Sequence, residues 1–248
     1  MTIPTTEIFG VRISRLGMKE TVEYIADAIH SGRSLHVITA NPIMFMHALE
    51  HPEFHQVMRE ADLNVPDGAG LVWAASYLGE GVAERVAGYD LMHELLKTGQ
   101  NYGWSVFLLG AAADVVETAA DHIARQYPRI RIAGWHHGYF KEEDDERIVK
   151  MVQQAAPDLL FVARSLDTQE RWIARYRDQL GARLMMGVGG SFDVVSGKLK
   201  RAPLFMQRLG LEWLYRLWQE PSRIGRMLAL PRFVLRVRQE KKRMQKIH

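Results

Sequence analysis

Two periods of apolar positions run along the first 195 residues. Short apolar runs bounded by Gly, Pro or Asn read as buried strands: SLHVITANP at 34–42, WSVFLLGAA at 104–112, IRIAGWHHGYF at 130–140, DLLFVAR at 158–164 and ARLMMGVGG at 182–190. Segments with helical spacing lie between them: 42–61, 113–127, 146–157 and 167–180. The stretch NVPDGAGLVWAASYLG at 64–79 sets a Pro-Asp-Gly-Ala-Gly turn at the mouth of a further apolar helix. Apolar strands alternating with amphipathic helices predict an α/β fold, a Rossmann-like and mostly parallel sheet flanked by helices. Ligands of such sheets bind where strands end and helices begin.

The pattern changes near residue 196. From there the chain is helical in period, broken by Pro221 and Pro231, and rich in Arg, Trp and Leu. Leu209, Trp213, Leu214, Leu217 and Trp218 recur at helical spacing, with Arg208, Arg216, Arg223 and Arg226 among them. The expected organisation is a Rossmann-like core over 1–195 and a basic helical appendage over 196–248. Removal of the appendage is expected to leave the core folded.

Composition sharpens this division. The formal charge is only +3, yet residues 197–248 hold 14 Lys or Arg against three acids, and the rest holds 18 against 26. An acidic body with a basic tail points the tail at something anionic. Its many Trp and Leu fit docking on an anionic membrane surface better than phosphate-tracking on nucleic acid, and no nucleic-acid signature occurs. The chain has no cysteine, which excludes disulfides, thiolate catalysis and Cys-type zinc sites. The N-terminus lacks a signal-peptide pattern, and no apolar run reaches the roughly 18 residues of a membrane span. A soluble or peripheral protein is expected, and apolar surface on the appendage can support a homo-oligomer.

Chemistry is less legible. LLGAAAD, GVGGSFD and PDGAG offer glycine-lined backbone and helix N-terminal amides, which suit phosphates. None is a Walker A loop or a dinucleotide fingerprint. Taken alone, Asp67 reads better as a helix cap; a cap or turn role for Asp193 and a turn role for Asn41 stand open beside functional ones, which chemistry alone does not separate. The histidines form no metal set: His51 and His55 share a helical spacing without a third ligand, and His136 and His137 diverge. Neither an Asp-x-Asp motif nor Gly-x-Ser-x-Gly is present. No metal and no cofactor is expected.

The motifs taken together carry a resemblance. TANPIMFMHALEHPEF, ADLNVPDGAGLVWAASYLG, ERVAGYDLMHEL, VFLLGA, GYF, PDLLFVA, QERWI, GVGGSFDVVSGKLKRAP and GLEWLYRLWQEPSRIGRML follow one another in the order seen in WecG/TagA/CpsF glycosyltransferases. The chain resembles that family over about residues 7–240. The resemblance implies a bacterial enzyme of cell-surface polysaccharide synthesis. It implies inverting, metal-independent transfer from a UDP-sugar donor to an undecaprenyl-diphosphate-linked acceptor, peripheral on the inner face of the cell membrane. It also implies roles. Asp67 would be the general base, Thr39 and Asn41 would line the sugar pocket, and Arg85 would be a further pocket residue. Tyr139, Gln169 and Asp193 would lie near the nucleoside, and Arg216, Arg223 and Arg226 would stabilise the leaving diphosphate. Where the family reads Gly-x-Pro-Lys/Arg-Gln-Glu, this chain has Ser165, Asp167 and Thr168 at the glycine, proline and basic positions. The added negative charge is expected to weaken donor binding by about 1–3 kcal/mol if that loop is partly buried. An alternative therefore stays open: a non-catalytic UDP-sugar or polyprenyl-diphosphate binding protein.

Overall fold

A computed structural model describes residues 3–246, apart from the side chain of Arg223. The chain opens with an antiparallel hairpin, β1 (Thr5–Ile8) and β2 (Val11–Ser14), turned by Phe9 and Gly10, both at positive φ. Left-handed backbone is costly for a phenylalanine. Packing holds it there, for the Phe9 ring meets Phe45 and Phe233 edge to face, each at 6.1 Å between ring centroids.

Six parallel strands form the main sheet: β3 (Leu35–Ala40), β4 (Leu63–Pro66), β5 (Ser105–Gly110), β6 (Arg131–His136), β7 (Leu159–Ala163) and β8 (Leu184–Gly187). Their order is β4-β3-β8-β7-β5-β6. Side-chain alternation assigns the faces. Val37, Phe161 and Met186 point into a core shared with α1 (Met18–His30), α5 (Gly88–Tyr102) and α6 (Ala113–Gln126). On the opposite face Ile38 joins α2 (Pro42–Glu50), α3 (Pro52–Glu60) and α4 (Ala69–Leu78). There too Leu160, Val162 and Met185 join α7 (Asp145–Ala155) and α8 (Leu166–Tyr176).

The α/β, Rossmann-like architecture is the one the periodicity predicts. Two details differ. The helical run over 42–61 is two helices, because Pro52 has no N–H to continue the ladder and forces His51 into an extended conformation. Strand β4, only four residues long and wholly buried, is hidden in the lead-in to the Pro-Asp-Gly turn.

After β8 come the short helices α9 (Ser191–Val195), α10 (Leu204–Arg208), α11 (Glu212–Gln219) and α12 (Ile224–Met227), then the long α13 (Ala229–Gln245). Phe233 and Val237 of α13 are fully buried with Phe45 against α2 and α4. Arg232 pairs with Glu50, and Lys241 Nζ donates to the Leu78 carbonyl at 3.2 Å. The stretch in between is open to solvent: Leu204, Phe205, Leu209, Trp218, Ile224 and Leu228 are exposed.

Candidate active site

Strands β3 and β8 are neighbours, but their following helices leave to opposite faces: α2 packs on α3 and α13, α9 on α6. This divergence opens a crevice at the carboxyl edge, where doubly wound sheets take their ligands. A cavity of about 510 Å³ lies there. Thr39 and Asn41 line it from the end of β3, Asp67 and Gly68 from the end of β4, and Val188 and Ser191 from the end of β8. Arg85 lines it from the loop ahead of α5, and Gly88 and Tyr89 from the start of that helix. The appendage roofs it with Gly210, Glu212, Trp213, Arg216 and residues of α13.

Asp67 is half-buried at the cavity wall and does not cap the helix that follows it; α4 has no side-chain cap. The local cap reading is thereby corrected. Pairing of β3 with β4 carries the main chain of Asp67 past the following turn, its N–H donating to the Ala40 carbonyl at 2.7 Å. Its carboxylate then meets the other side of the crevice. Oδ2 accepts the Gly88 N–H at 3.1 Å, and Oδ1 accepts from Arg85 Nε at 3.2 Å. Burial pushes the carboxyl above its ordinary value. The Arg85 guanidinium and the Gly88 N–H oppose that rise, and the nearby Glu212 charge adds to it.

Asn41 serves as the cap of α2: its Oδ1 accepts from Ile43 N and Met44 N at 3.0 and 3.1 Å. Thr39 stands directly against Gly88, where a Cβ would lie 2.9 Å from its hydroxyl. Gly68, Ala69 and Gly70, at the start of α4, line the cavity without a side-chain cap, so the positive end of that helix dipole lies at the cavity wall. Gly68 (φ +108°) and the close approach of Gly70 to Pro42 explain why this turn is glycine-rich.

Of the appendage arginines, Arg216 lines the cavity and has no ion-pair partner among the described residues. Arg226 is exposed and does not line it, and the side chain of Arg223 lies outside the described residues. Tyr139, Gln169 and Asp193 sit apart from the cavity, on loops and helices that follow β6, β7 and β8. Tyr139 is 81% exposed. Gln169 is buried; its Oε1 accepts from Gly189 N at 3.1 Å and its Nε2 donates to Glu170 at 2.8 Å, so it braces the β8 turn. Asp193 faces Lys198 at 3.5 Å.

The divergent 165–168 stretch starts α8, with Ser165 as its cap. Asp167 is not a loose charge: it pairs with His47 at 3.1 Å and Arg171 at 2.7 Å. His51 and His55 are each bonded to a main-chain carbonyl, of His47 and Phe9 respectively. No group of three His, Asp or Glu that could hold a metal occurs among the described residues.

Three features were not legible in the sequence. Glu212, buried in the first turn of α11, accepts from Arg85 Nη2 at 2.7 Å. Arg201 reaches Asp90 at 2.6 Å and lies over the Tyr89 ring. His36 and Glu170 form a fully buried pair at 2.9 Å between β3 and α8. Glu212 stood inside the GLEWLYRLWQE motif; its paired acid–Trp setting in an otherwise basic tail was the one available signal.

A parallel sheet with a crevice at its carboxyl edge and an acid on the cavity wall is the layout of an α/β enzyme. A sequence model of the Glycosyl transferase WecG/TagA/CpsF family matches residues 6–247, and the chain belongs to that family. It is a glycosyltransferase. Among similar proteins is an "N-acetylglucosaminyldiphosphoundecaprenol N-acetyl-beta-D-mannosaminyltransferase" from Staphylococcus aureus strain MW2. It is 37% identical over 242 residues, 97% of this chain and 94% of the relative. The protein of the same description from strain NCTC 8325 matches with equal identity and coverage.

Proposed function

We propose that this glycosyltransferase moves a sugar from a UDP-sugar to an undecaprenyl-diphosphate-linked sugar, with inversion and with Asp67 as general base. One observation carries the reading: the Asp67 carboxylate stands on the cavity wall, oriented by Arg85 and Gly88, in a setting that raises its proton affinity. The acceptor hydroxyl oxygen attacks the anomeric carbon as its proton passes to Asp67. The bond from that carbon to the diphosphate oxygen breaks, and the electron pair leaves with UDP. Thr39, Asn41 and Arg85 surround the sugar. Arg216 and the open start of α4 take up charge on the leaving diphosphate, with Arg223 and Arg226 contributing as the appendage closes. Tyr139, Gln169 and Asp193 form the nucleoside rim, Gln169 by bracing Gly189.

The core over 1–195 carries the donor site, and the appendage over 196–248 completes it at the membrane. No described helix is long and apolar enough to cross a bilayer. Exposed Leu204, Phe205, Leu209 and Trp218 in a basic segment suit docking in the headgroup region of the inner face. The pairing of Asp167 with His47 and Arg171 supports turnover over binding alone, since its charge is already compensated.

The relatives' description makes N-acetylmannosamine the first donor sugar to test. UDP release is measured with a panel of UDP-sugars and an N-acetylglucosamine-diphosphate-lipid acceptor, with EDTA present. Acceptor-dependent release that vanishes in Asp67→Asn is the expected result. Full activity of that variant removes Asp67 from the role, and saturable UDP binding without turnover on any acceptor returns the protein to a binding function.

A further inference from the structure

Five charged side chains of alternating sign run from the cavity wall into the appendage. Asp67 Oδ1 accepts from Arg85 Nε at 3.2 Å, and Arg85 Nη2 donates to Glu212 Oε2 at 2.7 Å. Glu212 Oε1 lies 3.9 Å from Arg201 Nε, and Arg201 Nη2 donates to Asp90 Oδ2 at 2.6 Å. Three of the five, Asp67, Arg85 and Asp90, belong to the sheet-bearing body; Arg201 and Glu212 come from beyond residue 196. The seat of Glu212 is tight. Gly210 sits at φ +70° against α4, where a Cβ would lie 2.8 Å from the Ala69 side chain. Any larger residue would lift the start of α11, and Glu212 with it.

Two carboxylates thus share one guanidinium through different nitrogens. Arg85 can meet a lone carboxylate with two parallel bonds, the stronger geometry. The Glu212 contact removes Nη2 from that option and leaves Asp67 a single bond from Nε. We infer that Glu212 is a positioning residue: seated by the appendage, it draws Arg85 partly away from Asp67 and so keeps the carboxylate open to the acceptor hydroxyl and basic. The inference rests on the general-base reading of Asp67. Closure of the appendage then does more than cover the cavity, because it completes the electrostatic setting of the base.

Arg85, ahead of α5, and the Gly88 N–H at its start bond Asp67; Tyr89 of α5 and Glu212 and Arg216 of α11 line the same cavity, as do the uncharged Thr39 and Asn41 at the end of β3. Arg201 and Asp90 stand one step further out. Loss of the Glu212 charge leaves Arg85 and Arg216 as the net field, which favours the ionised carboxylate and lowers its proton affinity. Burial drives Asp67 upward and Glu212 acts in the same direction, which agrees with this sign.

The test is kcat and KM for the UDP-sugar across pH in wild type, Glu212→Gln, Glu212→Asp and Asp67→Asn. In Glu212→Gln the plateau kcat falls on the order of tenfold, KM for the donor stays near wild type, and the acid limb of kcat/KM moves to lower pH. Glu212→Asp, which keeps the charge, restores the limb. A fall in kcat with the limb unmoved, or a rise in KM alone, reduces Glu212 to a structural contact and overturns the inference. Should Glu212→Gln fail to fold, Arg201→Gln removes the other cation beside Glu212, and the acid limb then moves to higher pH; an unmoved limb overturns the inference equally. Full activity in Asp67→Asn sinks the base reading itself, whereas an inert Asp67→Asn beside an unshifted Glu212→Gln sinks only the role of Glu212.

Discussion

Asp67 and Gly88 are 21 residues apart in the chain, yet the carboxylate of one accepts the backbone N–H of the other at 3.1 Å. The bond ties the end of β4 to the start of α5, and both line the cavity. Because Gly88 N is the first amide of a 15-residue helix, it carries part of the positive end of that helix's dipole. The carboxylate is therefore held toward the cavity by the same group that stabilises its charge.

Asp67→Asn keeps the size of the side chain but offers one acceptor oxygen where the carboxylate offers two, to Gly88 and Arg85, and on the proposed reading it loses the base. Turnover should fall by about 10²–10⁴-fold. The folded-state pKa of Asp67 lies above the unfolded value of 3.8, so between the two the folded protein binds more protons, and stability declines as pH rises through that window. The pH dependence of wild-type melting should carry this contribution, and Asp67→Asn, which does not titrate, should lack it. In wild type, kcat/KM should fall on the acid side as pH drops through the raised pKa.

Gly88→Ala introduces a methyl 2.9 Å from the Thr39 hydroxyl and 3.0 Å from its methyl. Thr39 and the start of α5 must move apart, at a cost of about 1–3 kcal/mol, and the N–H moves off Asp67. Denaturant unfolding should show the loss, and it should shrink in the double variant with Thr39→Ala, which clears the space. Equal losses with and without Thr39→Ala would refute the clash.

Phe233→Ala empties a fully buried ring site between Phe9 and Phe45 and should cost about 3–5 kcal/mol. By the same contact, deletion of residues beyond Ser196 strips Phe233 and Val237 from the core around α2 and α4. The expectation that the core survives that deletion intact is replaced: the truncated chain should melt lower than a deletion limited to residues 199–228, which spares α13. Calorimetry of the two deletions distinguishes them.

Asp167→Asn removes the negative charge of the divergent loop. Since His47 and Arg171 already hold that charge, donor KM should stay within about threefold of wild type. A tenfold tighter donor in the variant would mean that the charge does reach the diphosphate.

The amino-acid pattern by itself determined the strand–helix alternation, the ligand edge of the sheet and the change of character near residue 196. These follow from period and composition, which each residue reports through its own neighbours. Family motifs further singled out Asp67, Thr39, Asn41 and Arg216, all of which line one cavity. Tertiary structure decided the partners. Whether Asp67 caps its own helix or reaches Gly88, whether Glu212 is a solvated acid or grips Arg85 from 127 residues away, and whether α13 floats or packs on Phe45 depend on how elements dock. Polar contacts between distant segments carry no period, so only the folded packing, which brings them within bonding distance, selects them.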